Sequence, residues 1–117
     1  TLAGEGYNVV IHEFAHTLDM LDGEADGIPA LHSGLTRDGW DAVFLPAWED
    51  FCARVDAGEE TVIDPYASES PAEFFAVVSE HFFETPEIVA GEYPDLYGLL
   101  KSYYRQDPLA RRRRRPN

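Results

Sequence analysis

Asn8-Val9-Val10-Ile11-His12-Glu13-Phe14-Ala15-His16-Thr17-Leu18-Asp19 is the stretch on which the reading of this 117-residue chain turns. Its pattern suits a helix, on which His12 and His16, four positions apart, project from one side and can aim a ring nitrogen each at one Zn²⁺. Glu13 lies about 100° further round, where it would hold a water beside the ion rather than the ion itself. A His-Glu-x-x-His string arises by chance on the order of once in a few hundred chains of this size, so its surroundings decide. With His12 at the origin of a helical projection, Val9, Glu13, His16, Asp19 and Met20 share its side. Tyr7, Val10, Ile11, Phe14, Thr17, Leu18 and Leu21 gather opposite, so one face is expected to pack and the other to stay free for chemistry. Gly23 supplies a stop.

Working outward, 44% hydrophobic residues in 117 allow one domain with a modest core and leave no room for two. The chain opens on Thr1 with the HExxH helix close behind, and is expected to be a fragment lacking an N-terminal part. No run approaches the ~20 apolar residues of a membrane span, and the opening residues have no signal-peptide pattern, although the expected missing N-terminal part could carry a targeting segment. Net charge is −13 although five of the nine basic residues are the run Arg111 to Arg115. The body is therefore strongly acidic and would repel nucleic acid. The arginine run reads as a solvated tail. Cys52, the lone cysteine, excludes an internal disulfide, suits a reducing cytoplasm, and reads as a small buried residue rather than a catalytic thiol.

Residues 23–36, rich in Gly, Asp and Ala, read as a long loop bordering a site; His32 within it is a ligand candidate, though an exposed histidine is the commoner case. Helical spacing returns from Gly39 to Ala57, with Asp38 placed to cap it and Pro46 expected to kink or split it. Thr61-Val62-Ile63 is at most a short extended piece. Ser70-Pro71-Ala72-Glu73 has the form of a capping box and opens a helix toward Thr85-Pro86. Short helices follow from Pro86 and from Pro94 to Tyr104, and Asp107-Pro108 closes the folded part. The chain is expected to be mainly α with little or no sheet: a folded domain over 1–109 and a basic disordered tail over 110–117.

A catalytic zinc takes three protein ligands and keeps an open position, so the two histidines need a partner. Asp22 has the spacing of a third ligand, but Asp19 stands where that pattern requires a turning glycine, and on a continuing helix Asp22 points away. Glu73, from a second helix packed across the first, is the alternative, and its other role is to close its own capping box. The residues by themselves leave both roles open.

Four segments shift that balance: Asn8 to Asp19; Asp64-Pro65-Tyr66-Ala67; Ser70-Pro71-Ala72-Glu73-Phe74-Phe75-Ala76-Val77-Val78-Ser79-Glu80; and Tyr103-Tyr104-Arg105-Gln106-Asp107-Pro108. Together they resemble the Mlc titration factor A family of bacterial zinc peptidases, itself similar to the catalytic domain of anthrax lethal factor. The resemblance implies a zincin-like fold of the gluzincin type, with one Zn²⁺ per chain on His12, His16 and Glu73. It also implies Glu13 as general base and Tyr66 as a donor to the oxyanion. Lethal factor has an acidic residue one turn after its ligand glutamate, where this chain has Val77. Asp19 is then the candidate for orienting a histidine, while Glu80 and His81 read as surface or packing residues.

The expected activity is hydrolysis of peptide or protein substrates, aminopeptidase-like by resemblance. The rival is a regulatory module that keeps zinc for stability and sequesters a transcriptional repressor, Mlc in the family. Glu13 separates them, because a purely structural zinc site needs no general base.

Overall fold

A computed structural model describes the backbone of residues 2–21, 23 and 25–114 and the side chains of 9–21, 23 and 25–111. The helices are α1 (Leu2–Met20), α2 (Arg37–Asp56), α3 (Pro71–Glu84), α4 (Pro86–Glu92), α5 (Pro94–Tyr104) and α6 (Pro108–Arg114), with a 3₁₀ turn at Pro65–Ser68 ahead of α3. No strand occurs among the described residues, so the fold is mainly α and the stretch 61–63 is irregular. No described helix is long and apolar enough to cross a membrane.

Proline sets most of the starts. The 3₁₀ turn, α3, α4 and α5 each carry one in the first turn, where the missing amide costs no hydrogen bond and φ is already helical. Helix α2 is capped by Thr36 rather than Asp38: the threonine hydroxyl accepts the Gly39 amide at 3.0 Å. Pro46 does not split it. Ala42 and Pro46 both lie on its exposed side, so the carbonyl that proline leaves without a donor is open to water.

Helix α3 is the centre of the molecule. Phe74, Phe75, Val78 and Phe82 are fully buried along it, with α1 against one side and α2, α4 and α5 around the others. Aromatic edges close the packing, Phe74 against Phe44 at 5.5 Å and Phe75 against Trp40 at 5.8 Å between ring centroids.

Helix α1 corrects the expected division of faces. Its buried stripe runs through Ala15 and Asp19, flanked by half-buried Ile11, His12, His16 and Leu18, whereas Val10, Phe14 and Leu21 are 67%, 56% and 67% exposed. The histidine side is therefore also the packing side. The reason is geometric: a second helix that brings a carboxylate to His12 and His16 must lie against the face that carries them.

Asp19 is fully buried and works as a latch for the following loop, its two oxygens accepting the Gly27 amide at 2.8 Å and the Asp26 amide at 3.2 Å. Gly27, at φ +82°, also accepts the Trp40 indole N–H on its carbonyl, and a Cβ there would meet the Pro71 carbonyl oxygen at 2.8 Å. One residue thus ties α1, α2 and the start of α3. Burial pushes the Asp19 carboxyl above the ordinary range against the lowering effect of those amides. Asp19→Ala leaves two loop amides without acceptors and is expected to cost about 1–3 kcal/mol, read from the urea unfolding midpoint. Asp19→Asn, which keeps one acceptor, should cost less.

The end of the chain departs from expectation too. Asp107-Pro108 does not close the folded part, because α6 carries on into the arginine run as far as Arg114. Asp107 caps the new helix through the Ala110 amide, and Leu109, half-buried, packs against the core while its amide donates to the Tyr97 hydroxyl at 3.1 Å.

Candidate metal centre

His12 and His16 come from the middle of α1 and Glu73 from the first turn of α3, and they converge. His12 Nε2 lies 3.0 Å from Glu73 Oε1, His16 Nε2 lies 3.2 Å from the same oxygen, and the two Nε2 atoms are 3.2 Å apart. A tetrahedral zinc site with bonds of about 2.0–2.1 Å has ligand–ligand edges of about 3.3–3.4 Å, so this triangle is close to one face of such a site. Two imidazoles and a carboxylate form a donor set that suits a divalent cation. The side chains are 19%, 20% and 21% exposed, leaving the centre open on one side.

The local sequence explains how Glu73 is free for this. Ser70 Oγ accepts the Glu73 amide at 3.1 Å, which closes half of the capping box through the backbone, while the Glu73 carboxylate turns to the histidines. The competition between its two roles is resolved by dividing them between main chain and side chain.

Tyr66 stands on the 3₁₀ turn that packs on α3, its side chain half exposed. The Glu73 carboxylate beside it pushes its phenol above the ordinary pKa. A hollow of about 560 Å³ lies between the turn and α3, lined by His12, Tyr66, Val62, Asp64, Pro65, Val77, Glu80 and His81. Glu13 is exposed on the next wall, sharing a smaller hollow with Val9, His12 and Glu80.

Two expectations change places here. Asp19 holds the loop amides, whereas the carboxylate on the outer nitrogen of His12 is that of Glu80: its Oε2 accepts from His12 Nδ1 at 2.5 Å. Burial raises the Glu80 carboxyl above its usual range; burial also works against a charged His12, yet Glu80 and Glu73 outweigh it and hold that imidazole above its ordinary value. The signal for Glu80 was in the spacing, since it follows Glu73 by seven positions, two turns on the same face of α3.

The other candidates are engaged elsewhere. His32 stacks on Tyr103 and points Nε2 at the Ser102 and Tyr103 carbonyls, pinning its loop to α5. His81 bonds Thr85 Oγ1 at 2.8 Å, with its pKa lowered by burial. Cys52 donates to the Ser68 carbonyl, and burial pushes its thiol up, away from reactivity. Asp22 lies outside the described residues.

Known proteins are similar to most of this chain. The family described as glucose-regulated metallo-peptidase M90 matches residues 1–105. The uncharacterized protein slr2042 of Synechocystis sp. is 40% identical over 90% of this chain and 38% of its own length. Mlc titration factor A of Pectobacterium atrosepticum is 44% identical over 91% of this chain and 41% of its own, and that of Escherichia fergusonii 43% over 96% and 43%. The chain thus spans about two fifths of the length of the curated relatives it matches. With the match covering nearly all of it, the chain belongs to the glucose-regulated metallo-peptidase M90 family, among relatives named Mlc titration factor A.

Proposed function

We propose that this chain carries the catalytic centre of a zinc-dependent peptidase in which His12, His16 and Glu73 hold the metal. The observation that carries the reading is the triangle of two Nε2 atoms and one carboxylate oxygen at 3.0–3.2 Å, beside the exposed Glu13. The metal, once bound, would supply Lewis acidity, acidifying a water and polarising a carbonyl. The Glu13 carboxylate takes the proton of the attacking water and returns it to the leaving nitrogen. The Tyr66 hydroxyl, an O–H donor at neutral pH, donates to the carbonyl oxygen as that atom gains charge. A peptide in the hollow between α3 and the 3₁₀ turn would reach Tyr66 and His12, with Glu13 in the smaller hollow that shares His12 and Glu80. Aminopeptidase-like cleavage of small peptides in the cytoplasm belongs to the same proposal.

A second reading is favoured by the relatives' name: a module that sequesters an Mlc-like repressor, with zinc as a structural element. Titration of the metal-free protein with Zn²⁺ against a chromogenic chelator tests the shared premise, with one equivalent per chain expected. Release of chromophore from peptide anilides by the loaded protein then supports the peptidase. Uptake without release favours the binding module, and no uptake ends both readings.

A further inference from the structure

We propose that Glu80 is a positioning residue for the metal centre, bracing His12 so that the ring presents Nε2, and not Nδ1, to the ion; this rests on the reading of His12 as a ligand. Helix α3 meets both nitrogens of one imidazole with carboxylates two turns apart. Glu73 Oε1 faces Nε2 at 3.0 Å and Glu80 Oε2 faces Nδ1 at 2.5 Å. An imidazole with a carboxylate on Nδ1 keeps its proton there, so the lone pair is left on the other nitrogen, the one turned toward Glu73 and His16. A single helix thereby supplies one ligand and fixes the tautomer of another.

The brace extends to the second histidine. His16 packs edge-on against His12, ring centroids 4.7 Å apart at 77°. Holding His12 therefore holds His16 through ring packing. Nor is Glu80 a surface carboxylate that happens to lie close. Its side chain is 15% exposed, so most of its hydration is gone, and it hydrogen-bonds to His12. Ser79 and His81, on either side of it in sequence, take the Tyr104 hydroxyl and the Thr85 hydroxyl instead.

The test is Zn²⁺ affinity of the metal-free protein, by competition with a chromogenic chelator, for the parent, Glu80→Ala, Glu80→Gln and the charge-loss control Glu49→Gln on exposed α2. Glu80→Ala should bind about 10–100-fold more weakly, the usual cost of losing such an outer partner. Glu80→Gln, whose amide oxygen still accepts from Nδ1–H, should recover part of that loss, and Glu49→Gln should match the parent. The visible spectrum of the Co²⁺-loaded protein should change for Glu80→Ala and return toward the parent for Glu80→Gln. Unchanged affinity in Glu80→Ala overturns the assignment of Glu80 while leaving the ligands standing. A glutamine variant as weak as alanine overturns it too, because the effect would then be charge and not orientation. A parent that takes up no Zn²⁺ removes the ligand reading itself. The glutamine variant keeps the question decidable should alanine at this position fail to fold.

Discussion

Glu13→Gln is expected to keep its zinc and lose hydrolysis of chromogenic peptide amides by about 10²–10⁴-fold, the range for removal of a positioned general base. The side chain is exposed on α1 and lies off the buried stripe through Ala15 and Asp19, so the exchange removes no packing. Glutamine keeps the size and loses only the ability to take a proton. The loss should therefore appear in kcat, with metal content by atomic absorption and the melting temperature unchanged. A variant that cleaves as fast as the parent sinks the peptidase reading and leaves the repressor-binding module in possession of the site.

Glu73→Ala should abolish stable metal binding. It removes one of three donors, a heavier loss than the about 10–100-fold seen when only an outer partner goes. The consequence is visible without any substrate. Zinc at 100 times its dissociation constant adds about 2.7 kcal/mol to the stability of a protein that binds it only when folded. The parent should accordingly melt higher with zinc than without, and Glu73→Ala should melt alike in both. The metal-free variant should still fold, since Ser70 caps α3 through the amide of residue 73 whatever the side chain, so the comparison is of each protein with and without zinc. Asp22→Ala, measured beside it, is expected to retain zinc. Retention by Glu73→Ala with loss by Asp22→Ala would transfer the third ligand to the other carboxylate.

Much of the centre was legible in the chain because the groups are local or specially marked. His12 and His16 declare themselves by one spacing on one helix, and Ser70-Pro71 fixes where α3 begins and so where Glu73 starts. What could not be read was which helix face meets which neighbour. Counting apolar residues put Val10, Phe14 and Leu21 inward, yet α3 packs on the opposite side of α1, the one that carries His12 and His16. The same blindness hid Glu80, which looks like any solvated acid until α3 lies across α1, and gave its role to Asp19, whose partners are loop amides. At the ends of helices the misreadings were choices between near equals. Thr36 and Asp38 are both good caps, and Pro46 is tolerated because its side of α2 is wet.

The contact of Gly27 with Pro71 makes the chain vulnerable at a spot that carries no reactive group. A methyl at position 27 would press on the turn from which Glu73 departs, and the pressure would pass along the first residues of α3 to the carboxylate. Such a lesion would masquerade as a defect of the metal ligands themselves, although the altered residue donates nothing to the ion.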